Sequence, residues 1–114
     1  MKKYSTLVYK DKEYIYDFNL NVMEQIQAEY GTIAKWGELT DGSAGEPDAK
    51  AIIFGFWAML NEGIDISNEE NGTKDPPLTL KQVGRMISDV GLAEATAKLN
   101  KTVVDSTASD EKNA

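Results

Sequence analysis

Neither cysteine nor histidine occurs among the 114 residues of this chain. Their absence removes disulfides, thiol nucleophiles, Cys/His zinc centres and every mechanism in which imidazole moves a proton. No apolar run is long enough to cross a bilayer, which takes ~20 residues. Met1 to Thr6 carries positive charge with no apolar stretch behind it, so no secretory signal is expected. Basic residues are the minority: 12 Lys and Arg against 19 Asp and Glu leave a net charge of −7. Binding to a phosphate backbone needs a basic patch, so nucleic acid is not an expected partner. The charge favours solubility. The chain is therefore expected in the cytoplasm, away from membranes.

The motifs of catalysis are also missing. Asp65 to Pro76 has the length of a calcium loop, but Glu70 and Pro76 stand where glycine and a bidentate glutamate are required. Asp41-Gly42-Ser43-Ala44-Gly45 lacks the Gly-Lys-Ser/Thr that would make it a phosphate loop. Ser43 has no base to activate it. Glu69 and Glu70 lie in a polar run, where a solvated surface accounts for them, and nothing suggests the cleft that glycosidic carboxylates need. No enzyme, metal or cofactor is expected.

What the chain does have is Ile52 to Leu60, with seven large apolar side chains in nine residues. At ~100° per residue, Ile53, Phe56, Trp57, Leu60 and Ile64 fall on one helical stripe. Ile52 and Met59 flank it on one side and Phe54 on the other, leaving only Ala51, Gly55, Ala58 and Glu62 opposite. A helix apolar nearly all round is normally buried. This one is the hub of the fold, or the hub with a partner surface. The small-residue strip has two readings. It lets another helix of the same fold approach closely, or it is an uncovered side with Phe54 and Met59 as its apolar rim. On the second reading Phe54, Met59, Ala58 and Gly55 are the partner-binding residues. Trp57 and Trp36 read as core anchors.

Around this hub the pattern predicts an α+β, mostly helical domain over residues 1–104: an N-terminal β-hairpin packed on about four helices. Tyr4 to Tyr9 and Tyr14 to Phe18 are the strands, with Lys10 to Glu13 as the link. Tyr14, Tyr16 and Phe18 share a face that should pack on helices. A first helix starts at Asn19 or Asn21, where Asn21 and Glu24 make a capping-box pattern, and closes at Gly31. Thr32 to Leu39 reads as a short helix. The central helix is expected from about Asp48 to Glu62, ending near Gly63, with polar loops at Thr40 to Pro47 and Asp65 to Pro77. Thr79 with Gln82 is a capping box, and Leu78 with Val83 a hydrophobic staple, for a helix burying Leu80, Val83, Ile87 and Val90. The last helix, Leu92 to about Val104, shows Leu92, Ala95, Leu99 and Val103. Asp105 to Ala114 lacks large apolar residues and is expected to be a disordered tail.

The order of these pieces resembles a known family. A short hairpin runs into Tyr16-Asp17-Phe18-Asn19, an amphipathic helix closes on Tyr30-Gly31, a helix carries Trp57-Ala58-Met59-Leu60, and a Leu78-Thr79-Leu80 cap enters Val83-Gly84. Over roughly Tyr4 to Val104 the chain resembles the tail assembly chaperones of long-tailed bacteriophages, in the version found in phages and prophages of Gram-positive hosts. The resemblance implies a small protein absent from the finished virion. It would bind the hydrophobic tape measure protein, keep it soluble and help recruit tail tube subunits in the host cytoplasm. It also implies a longer frameshifted form sharing this domain. The family brings no catalytic residues. Two alternatives stand beside it: a self-assembling structural or scaffold protein of the tail, and a small acidic DNA mimic. The acids here are scattered over loops and tail, which counts against the mimic.

Overall fold

The computed structural model describes residues 4–43 and 45–112, with side chains as far as Ser106. Two antiparallel strands, β1 (Ser5–Tyr9) and β2 (Lys12–Tyr16), pair with Tyr9 opposite Lys12 and Ser5 opposite Tyr16. The link is tighter than the expected four residues. Lys10 and Asp11 alone turn the chain, both with positive φ (49° and 65°). That is the two-residue geometry matching the twist of the strands, usually built from Asn-Gly. Leu7, Tyr16 and Phe18 are buried, as an aromatic inner face requires.

Five helices follow: α1 (Leu20–Tyr30), α2 (Ile33–Thr40), α3 (Ala49–Asn71), α4 (Leu80–Val90) and α5 (Leu92–Lys112). Asn19, not Asn21, caps α1, its side chain accepting from the Val22 N–H at 3.2 Å. Asn21 instead joins Asn19 in donating to the Glu62 carboxylate, at 3.1 and 2.7 Å. That pair ties the start of α1 to the middle of α3. Gly31 closes α1 at φ 92°, ψ −52°, outside the left-handed helical region expected of it. Thr32 caps α2, and both bonds of the Thr79–Gln82 capping box are formed at α4.

The central helix is the hub. It packs on β2, α1, α2, α4 and α5. It does not stop near Gly63 but continues to Asn71, 23 residues or about 35 Å. Gly63 is not a terminator but a point of close approach. A Cβ there would lie 1.9 Å from the Ile15 carbonyl oxygen, so only glycine lets α3 slide under β2. The terminator is Gly72, left-handed at φ 66°, ψ 27°.

The polar second half of α3 is held helical by the segment that returns along it. The Asn68 amide binds the Asp75 backbone twice, donating to its C=O (3.1 Å) and accepting from its N–H (3.0 Å). Seven residues back, Asn61 does the same at Leu78, at 3.1 and 2.8 Å. The Trp57 indole N–H adds a third bond, to the Leu78 carbonyl at 3.0 Å. Two helical turns separate the two asparagines, so both amides face the same extended strip, residues 73–79.

The last helix is also longer than expected. It passes Val104 and runs to Lys112, across most of the segment 105–114 expected to be a disordered tail; Asn113 and Ala114 lie outside the described residues. The extension has local support. Lys101 pairs with Asp105 one turn on, at 2.6 Å, and the Ser106 hydroxyl donates to the Phe18 carbonyl at 2.8 Å. Ser5 and Thr102 share a further hydroxyl bond at 2.8 Å, anchoring α5 to β1. Leu92, at the first position of its helix, is 52% exposed, while Ala95 and Leu99 are buried. Among the described residues no helix is long and apolar enough to cross a membrane.

Candidate functional site

Burial around α3 is rotated away from the stripe its large residues define. Ala51, Ile52, Gly55, Phe56, Ala58, Met59, Leu60 and Gly63 are the buried positions, while Ile53, Phe54 and Trp57 are half-buried. The small residues decide this. A Cβ on Gly55 would stand 2.5 Å from the Trp36 ring and 3.2 Å from Leu99, so α2 and α5 close directly onto the small-residue strip. Trp36 is sealed there, 1% exposed, its indole N–H donating to the Ala51 carbonyl at 3.0 Å. Phe18 stacks on it with ring centroids 6.1 Å apart.

Three of the four expected partner-binding residues are therefore core. Gly55, Ala58 and Met59 are covered by the protein's own helices and cannot meet a partner. Met59 was expected at a rim, but burial of the strip carries it inside as well. Only Phe54 keeps an open side. Trp57, expected as a core anchor, packs half-buried against the core, its polar edge holding the returning strip.

Phe54 belongs to an aromatic chain. Its ring meets Tyr30 edge-on at 5.6 Å and Trp57 at 5.4 Å. The Tyr30 hydroxyl behind it is shielded from solvent and has no hydrogen-bond partner among the described residues. Burial, with the carboxylates of Asp48 and Glu29 adding to it, pushes the Tyr30 pKa above its ordinary value.

On its free side Phe54 faces an open cleft of about 1040 Å³ between α3 and α4. From α3 come Lys50, Ile53 and Phe54, spaced i, i+3, i+4 on one face. From α4 come Leu80, Lys81, Gly84, Arg85, Ser88 and Asp89, again one face, and Tyr9 of β1 lines it as well. The opposite face of α4 buries Val83, Met86 and Ile87. Leu80, expected in that buried face, is 47% exposed and lines the cleft. Seven residues before Ile87, it lies at the seam between the buried face and the cleft. Gly84 offers no side chain, which keeps the floor low.

Chemically the cleft is an apolar trough with a charged rim. Among the described residues no cluster of three His, Cys, Asp or Glu side chains is placed to hold a metal ion. The α4 half was hidden in the sequence because Leu80 continues the buried spacing of Val83 and Ile87. The one available signal was the pairing of Lys81 with Arg85, one turn apart and flanking Gly84. No protein-family model matches the chain, and neither a curated protein nor a solved structure matches it.

Proposed function

We propose that this protein is a non-enzymatic holding chaperone of bacteriophage tail assembly. It binds the tape measure protein in the host cytoplasm, keeps it soluble and helps bring tail tube subunits to it, without joining the virion. The observation that carries the reading is the open trough of Ile53, Phe54 and Leu80, beside a hub helix whose other face, Ile52, Phe56, Met59 and Leu60, is buried by its own fold. An apolar surface of this kind commonly marks a partner site. The order of hairpin, helices and capped α4, which resembles the tail assembly chaperones, supplies the identity of the client. No nucleotide-binding motif is present in the sequence. Holding then works by linkage: whatever binds the soluble form of the client stabilises it by mass action.

The experiment is coexpression with a tape measure fragment that aggregates alone. The protein is expected to keep the fragment soluble and to co-purify with it without nucleotide. Leu80→Ser, at an exposed position, should weaken co-purification while circular dichroism stays unchanged. A fragment that aggregates equally with and without the protein contradicts the proposal. Recovery of the protein as a stoichiometric part of purified particles favours a scaffold instead.

A further inference from the structure

Charge along the trough runs opposite to the charge of the molecule. Lys50, Lys81 and Arg85 line it, with Asp89 as its single carboxylate. A second hollow, of about 190 Å³, shares Tyr9 and Arg85 with the first and adds Lys10. The two adjoin at Tyr9 and Arg85 and are treated together as one track. Four of the chain's 12 basic residues border it, against one of its 19 acidic residues. Lys50 lies 3.7 Å from Glu29, but Lys81 and Arg85 form no ion pair among the described residues. Both are exposed, so their charge is offered to solvent or to a partner.

We infer that this track receives an amphipathic helix of a partner protein, with apolar side chains on the Ile53–Phe54–Leu80 floor and carboxylates along both rims. Three features set the occupant. The floor is apolar, which calls for apolar anchors. The rim is cationic in a protein of net −7, which selects an acidic partner. Both long walls are α-helices whose backbone groups are already bonded internally, so an extended peptide would find no ladder of donors and acceptors. A helix satisfies its own backbone and needs only side-chain contacts. That the partner is a tape measure segment rests on the chaperone reading above; the form and charge of the occupant rest on the track alone. The inference narrows which client segments are held: acidic amphipathic helices rather than any apolar stretch.

The test uses two labelled synthetic helices with the same leucines at i, i+3, i+4 and i+7, flanked by glutamates in one and by lysines in the other. Anisotropy titration of the whole protein is expected to show the acidic helix binding roughly tenfold tighter at low salt, the preference shrinking as salt screens it. Lys81→Glu with Arg85→Glu should reverse the preference. Lys35→Glu with Lys74→Glu, the same charge change at exposed sites off the track, should preserve it. Leu80→Ser should weaken both peptides. Equal affinities, a preference untouched by the Lys81/Arg85 change, or its loss in the Lys35/Lys74 control overturns the inference. So does single-stranded DNA that displaces the acidic helix and binds more tightly. If the tape measure fragment co-purifies but no acidic preference is seen, the track assignment falls and the chaperone reading stands. If the preference is seen but no fragment is solubilised, the reverse holds.

Discussion

Gly63→Ala is expected to destabilise the protein, although alanine is the better helix former by ~1 kcal/mol in a helix interior. The new Cβ would stand 1.9 Å from the Ile15 carbonyl oxygen and 2.6 Å from its carbonyl carbon. These are backbone atoms, and Ile15 is fixed in register with Thr6 across the hairpin. No rotamer change relieves the clash, so α3 and β2 must separate. Over-packing usually costs ~1–3 kcal/mol, and an immovable obstacle belongs at the upper end. Subtracting the propensity gain leaves a net loss of about 2 kcal/mol, or roughly 8 °C in melting temperature for a domain of this size. Gly37→Ala in α2 is the control, since nothing lies within 4 Å of its Cβ. It should gain the propensity alone, raising the melting temperature by up to about 4 °C. Thermal unfolding followed by circular dichroism measures both. A Gly63→Ala protein that melts with or above the Gly37→Ala protein would refute the close packing of α3 under β2.

Asn61→Ala removes both bonds to the Leu78 backbone and should cost about 1–3 kcal/mol in urea unfolding; an unchanged midpoint would mean the strip is not held by that amide. Tyr30→Phe should change the pH dependence at the alkaline end. The native Tyr30 holds its proton above its ordinary pKa, so beyond about pH 10 the unfolded chain releases protons that the native state keeps, and stability falls as pH rises. The variant should lose part of that fall while matching or exceeding the parent near neutrality; an identical alkaline profile would show that Tyr30 is not shielded.

The hairpin, the cap of α4 and the hub role of α3 were legible because each has a local signature: aromatic alternation, Thr79 with Gln82, and a dense apolar run. Helix ends were less so. Gly63 looks like a stop, yet its meaning is set by Ile15, nearly fifty residues away in sequence. Asn68 looks like a loop former, yet with Asn61 it holds α3 together through bonds to a strip that follows it. The site was half legible. A helix apolar on nearly all sides does not reveal which side its neighbours cover. Size decides: the flat strip of Ala51, Gly55 and Ala58 admits Trp36 and Leu99, and the bulkier Ile53 and Phe54 are left at the cleft. Of the four residues Phe54 alone lines the cleft, and Gly55, Ala58 and Met59 are buried.

Methyl NMR of the isotopically labelled protein, titrated with a soluble tape measure fragment, tests the central claim most directly. Saturable shifts are expected of the Ile53 and Leu80 methyls, which line the cleft, with Ile26 and Leu99 in the sealed core unmoved. Saturable shifts confined to exposed apolar residues away from the cleft, such as Leu20 or Val104, or no shifts at all, would contradict it.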